Sequence, residues 1–157
     1  MSGLAKQMAK LKDKLLDEIF NKEYNKMGYR SDVAYMIKFH NPEDYWGFIA
    51  ESTADPDTSY CWAKEEAESF KQNDKELSVQ FYADQVKWYD GYEDVECHTN
   101  LWWKASERAD NHKGMCDGYF VRIGEEPTDV EERQFGEEPP FDYINIHQSI
   151  ETFWENK

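Results

Sequence analysis

The chain has no apolar run long enough to cross a bilayer, and its first residues hold no apolar stretch of the signal-peptide kind. Its cysteines number three, Cys61, Cys97 and Cys116, an odd count that sets up no disulfide framework, so a reducing, cytoplasmic setting is expected. Basic residues are scarce as well: 18 Lys plus Arg stand against 33 Asp plus Glu, for a formal net charge of -15. Nucleic acid and anionic membranes both demand a basic face, so direct binding to either is not expected. There is no Gly-rich phosphate loop, no nucleophile elbow and no paired-histidine metalloprotease motif. Carboxylates are so many that glycosidase-like pairs arise by chance, and no catalytic residue is nominated. The chain reads as a non-enzyme, with a small enzyme of unassigned class ranked third among the readings.

What is abundant is acid and aromatic ring. Low mean hydropathy, -0.95, and high charge are the signature of disorder, but 6 Trp, 10 Tyr and 9 Phe are not. Rings bury large areas and hold a core when aliphatic residues are few. With 157 residues the chain is long enough for one domain with a core of its own.

The apolar pattern divides the chain into an N-terminal amphipathic helix, 1–28, and an acidic, aromatic-rich body, 29–157, as one folding unit. Leu4, Met8, Leu11, Leu15 and Ile19 recur at helical spacing over residues 4–24, with Gly28 beyond the end. This face is expected to serve either the core or an oligomer, a homodimer in the simplest case. The segment also inverts the charge: residues 1–30 carry seven bases and four acids, the remainder eleven bases and twenty-nine acids.

Val33 to His40 reads as a strand, and Asn41-Pro42-Glu43-Asp44 as a helix start. Tyr45 to Ser52 fits either type, the strand slightly better for its aromatics and Gly47. Asp55-Pro56-Asp57 reads as a turn, Thr58 to Lys71 as a helix and Glu76 to Tyr82 as a half-buried strand. Asp90-Gly91 predicts a hairpin joining Gln85–Tyr89 to Tyr92–His98. Leu101 to Asn111 follows as a helix capped by Asn100, then strands at Gly118–Gly124 and Phe141–His147 and a short element at Ile150–Trp154. The order predicts an α+β single domain with a mainly antiparallel sheet, the N-terminal helix and two further helices.

Two acidic clusters are candidate partner-binding residues: Asp90, Glu93, Asp94 and Glu96 at the expected hairpin tip, and Glu125, Glu126, Asp129, Glu131, Glu132, Glu137 and Glu138 within one 14-residue stretch. Prolines and glycine limit the regular structure of that stretch and leave its charges on the surface. Surface carboxylates in rows occupy the Lys and Arg tracks with which proteins hold nucleic acid, and neighbouring aromatics tighten the contact. In composition the chain resembles the small acidic nucleic-acid mimics with which phages and mobile elements disarm nucleases and restriction or CRISPR effectors. That resemblance implies a non-enzymatic inhibitor whose partner is a basic, nucleic-acid-binding protein. The alternative is an adaptor or structural protein that assembles through its N-terminal helix, its charge serving solubility.

Cys97-His98 followed by His112-x-x-x-Cys116 is the one arrangement of zinc-type ligands. On a strand Cys97 and His98 point to opposite faces, so a site of Cys97, His112 and Cys116 would need Cys61 to close it. The expectation is a buried thiol and surface histidines, with no metal and no cofactor.

Overall fold

The computed structural model describes residues 7–12, 29–146 and 150–154. In chain order these form a helical stretch at residues 7–12 (α1), β1 (Ser31–Phe39), α2 (Pro42–Ala54), two short 3-10 helices (Ser59–Trp62 and Lys64–Glu66), β2 (Phe70–Asn73), β3 (Ser78–Val86), α3 (Glu93–Asn111), β4 (Cys116–Ile123), β5 (Val130–Phe135), a 3-10 turn (Phe141–Tyr143), β6 (Ile144–Ile146) and β7 (Ile150–Thr152). The expected α+β class with an antiparallel sheet is what forms: β2-β3-β1-β4-β5 is one five-stranded antiparallel sheet, and β6-β7 is a separate two-stranded one.

The central strand β1 is buried on both faces, and its alternation sorts the core into two layers. Val33, Tyr35, Ile37 and Phe39 face α2, α3 and the 3-10 segment, while Ala34 and Met36 face the β6-β7 hairpin with Tyr119, Val121, Tyr143, Ile144 and Ile150. Across the sheet Tyr35 pairs with Phe81 on one side and Phe120 on the other, so three rings lie in a row under the helices.

Three local expectations are corrected. Tyr45 to Ser52 is helix, not strand: the Asn41 side chain accepts from Asp44 N at 2.8 Å, Pro42 opens the first turn, and Tyr45, Phe48, Ile49 and Ser52 bury one helical stripe. Thr58 to Lys71 is not one helix, because Ala63 takes an extended backbone between the two 3-10 pieces and β2 begins at Phe70. The Asp90-Gly91 hairpin does not form either. Gly91 does take a positive φ of 95°, but the turn leads into α3, whose first residues Glu93, Asp94 and Glu96 meet the positive end of the helix and whose Val95, His98, Leu101, Trp102 and Ala105 bury a stripe at spacings of three and four. Asn100 is therefore an interior residue of α3, and its side chain donates to Asp57 O at 3.1 Å.

Of the expected N-terminal helix face, Met8 and Leu11 lie in α1, are 62% and 65% exposed, and belong to neither core layer of the described residues. Leu4, Leu15 and Ile19 lie outside the described residues.

Gly118 marks the tightest place in the helix-side layer. It pairs with Phe135 across β4 and β5, and a methyl group there would run into the Phe135 ring and come within 2.9 Å of Trp102. Gly118→Ala is expected to destabilise the fold by about 1–3 kcal/mol through overpacking, read from the urea midpoint with the slope unchanged.

Candidate functional site

A concave part of the surface lies along the outer side of α3. Three adjoining depressions share Trp103, one of them of about 420 Å³ between α3, the segment before it and the open ends of β4 and β5. Trp102 and Trp103 are neighbours on a helix and so point about 100° apart. One enters the core at 3% exposure and the other stands 46% exposed at the middle of the groove.

Seven carboxylates border these depressions, Asp55, Asp57, Asp90, Glu96, Glu107, Asp129 and Glu131, against three cations, Lys104, Arg122 and Arg133. The cations are engaged. Arg122 holds both oxygens of Asp129, at 2.6 and 3.2 Å, reaches Glu131 at 3.2 Å and donates to Ser31 Oγ. Arg133 donates to Glu131 at 2.7 Å and lies over the Trp103 ring at 5.1 Å. Lys104 pairs with Asp55 at 2.9 Å. Asp57, Asp90, Glu96 and Glu107 take part in no ion pair among the described residues, and they set the sign of the groove.

The two acidic clusters of the sequence thus meet, but only in part. Asp90 and Glu96 come from the start of α3, Asp129 and Glu131 from the β4-β5 side, and all four border one groove. The long acidic stretch is not a single patch, because β5 runs through it and alternates. Glu131, Arg133 and Phe135 face the helices, while Glu132 lies on the opposite face beside Tyr119. Glu125 accepts from Arg30 N at one end of β5, and Glu137 pairs with Lys113 at the other, about 20 Å away by strand rise. Glu126 and Glu138 are exposed in the flanking loops; Glu93 is exposed on the first turn of α3, and Asp94 there accepts from Val95 N. Sequence reasoning missed Asp55, Asp57, Glu107 and Trp103. Asp55-Pro56-Asp57 carried only a turn signal, and nothing in a Trp-Trp pair says which ring faces out.

A second constellation is internal. Tyr35 Oη lies 2.5 Å from His98 Nδ1, His98 Nε2 lies 2.7 Å from Glu66 Oε1, and Cys61 Sγ lies 3.5 Å from the same Nδ1. Cys97 Sγ completes a set with Cys61 and His98 whose ligand atoms all lie within 4.8 Å of one another, the one such set among the described residues. The proposed grouping of Cys97, His112 and Cys116 does not form: Cys116 turns its thiol to Ala105 O, and His112 ends α3 on the surface. Helix, not strand, is the reason Cys97 and His98 enter the core together. Burial pushes the Cys61 thiol, with the Cys97 hydrogen bond adding to it, far above its usual range, and burial, with the Asp117 charge adding to it, pushes Cys116 up to about 12.

Comparison with family models, with curated proteins and with solved structures finds no match. No helix among the described residues is long and apolar enough to cross a membrane.

The wall of the groove at Asp129 titrates in a defined direction. The Arg122 guanidinium, and after it the Tyr29 hydroxyl, hold its carboxyl below the usual range, and the same contact pushes Tyr29 up to about 12. A carboxylate with a depressed folded pKa contributes stability above its unfolded value, about 3.9, and that contribution is lost as pH falls through the folded value. Asp129→Asn is expected to cost about 1–3 kcal/mol at neutral pH and to flatten the loss of stability below about pH 4, measured by urea unfolding across pH.

Proposed function

We propose that the chain is a non-enzymatic inhibitor or nucleic-acid mimic whose α3 groove takes a basic segment of a nucleic-acid-handling protein. The observation that carries this reading is the convergence of Asp57, Asp90, Glu96 and Glu107 around the exposed Trp103 ring. Unpaired carboxylates attract Lys and Arg over the range of a Debye length, about 8 Å at physiological salt. An aromatic ring at the centre supplies apolar and cation–π contact that charge alone does not. Arg133 already lies over that ring at 5.1 Å, a cation–π contact of the kind this reading gives to a partner's guanidinium.

The test is capture of a partner from lysate at low salt, followed by competition. The captured protein is expected to bind duplex DNA or RNA by itself, to leave the chain when nucleic acid is added, and to dissociate steeply as salt rises. Asp57→Lys with Asp90→Lys and Glu96→Lys is expected to abolish capture while the circular dichroism stays that of the parent. Reversal of Glu126 and Glu132, outside the groove, is expected to weaken capture only slightly. A captured protein indifferent to nucleic acid, or a groove variant that binds like the parent, overturns the reading.

The adaptor reading is favoured by one observation, the exposure of Met8 and Leu11 on α1. If that face is a seam between copies, Met8→Asp with Leu11→Asp will convert a dimer to a monomer in light scattering without loss of fold. A monomeric parent ends this reading.

A further inference from the structure

We infer that Cys61, Cys97 and His98 form a closed binding site for a thiophilic divalent cation, zinc above all, inside the helix-side core. Three soft ligands of the kind zinc takes are here 1%, 3% and 1% exposed. Zn–S and Zn–N bonds of about 2.3 and 2.0 Å at a tetrahedral angle place sulfur and nitrogen about 3.5 Å apart. Cys61 Sγ and His98 Nδ1 stand at 3.5 Å, and all three ligand atoms fall within 4.8 Å of one another.

The histidine is also prepared on its far side. Glu66 receives Nε2 at 2.7 Å, which keeps the proton on Nε2 and the Nδ1 lone pair directed at the thiols. A carboxylate behind a metal-binding imidazole orients the ring and raises its basicity. Tyr35 Oη, which now donates to that lone pair from 2.5 Å, is the oxygen that can close a fourth position once the cation takes the lone pair.

The charge balances. Without metal Cys97 Sγ donates to Asp94 O at 3.0 Å, and the balance starts from two thiols. Binding one divalent cation releases two thiol protons to solvent and leaves two thiolates, a neutral imidazole and no change in net charge at the buried centre. That removes the Born cost that keeps an isolated cation out of such a core. The three ligands come from two separate elements, the first 3-10 helix and α3, so the cation would tie the start of α3 to the segment that follows α2.

The experiment uses the reduced full chain, freed of metal by a chelator and returned to chelator-free buffer. It is titrated with zinc alone, in competition with a chromophoric chelator, and separately with cobalt(II) alone. One equivalent of each is expected per chain, the cobalt complex showing thiolate charge transfer and tetrahedral visible bands, with a higher Tm for the zinc form. Cys116→Ala, which removes a buried thiol outside the set, is expected to bind like the parent. Cys97→Ala is expected to weaken binding by more than about 100-fold, and Glu66→Ala by about 10–100-fold, the usual cost of losing a partner behind the ligand. If Cys97→Ala does not fold, the intensity of the charge-transfer band in the parent counts the thiolates instead, and two are expected. A folded, reduced parent that binds neither metal overturns the inference. So do a cobalt complex without thiolate charge transfer, undiminished binding by Cys97→Ala, and an intact Cys61–Cys97 disulfide in freshly purified protein.

Discussion

The hydroxyl of Tyr35 has to be satisfied inside the core, where the residue has no exposed surface. Its ring is wholly buried between Phe81 and Phe120 at the centre of the sheet, and a phenol left unpaired there would cost several kcal/mol. The partner is His98, itself buried, and the partner of His98 is Glu66 near the surface. This chain of three polar groups runs from the middle strand through α3 to the second 3-10 helix, and it specifies how those elements sit on one another. An apolar contact tolerates a slip along a helix; a hydrogen-bonded line of fixed length does not.

The rest of the helix-side layer follows from that placement. With His98 turned inward, Leu101, Trp102 and Ala105 enter the core on the succeeding turns, and Trp102 stacks at an angle on Phe120 and Phe135. Gly118 is what lets Phe135 and Trp102 approach that closely. The same rotation of α3 turns Glu96, Trp103 and Glu107 out, so the groove and the thiol cluster are opposite sides of one helix. The hairpin β6-β7 covers the other face of the sheet through smaller contacts, with Tyr143 linked to Glu76 and Lys38.

Electrostatics divides the acidic surface more finely than composition suggests. Asp129 and Glu131 are committed to Arg122, and their charges are largely spent inside the chain. Of the carboxylates around the groove, Asp57, Asp90, Glu96 and Glu107 are those with no cation among the described residues. Net charge therefore describes long-range attraction, whereas the groove describes where a basic group comes to rest.

By itself the sequence determined the class, the central strand, the strand at Gly118–Gly124 and the start of α2, since alternation and an Asn-Pro cap are local signals. It determined as well that the chain is acidic and that rings would build the core. Tertiary structure decided the rest. An Asp-Gly turn is as compatible with a hairpin as with a helix start, and only the burial of Val95, His98, Leu101 and Trp102 against the sheet selects α3. That choice reverses the geometry of Cys97 and His98, which a strand would separate and a helix brings to one side. It also parts Trp102 from Trp103 and draws Asp57, Asp90 and Glu96 together across 39 residues of sequence. The meeting of residues distant in sequence depends on which faces are buried, and burial is a property of the assembled layers.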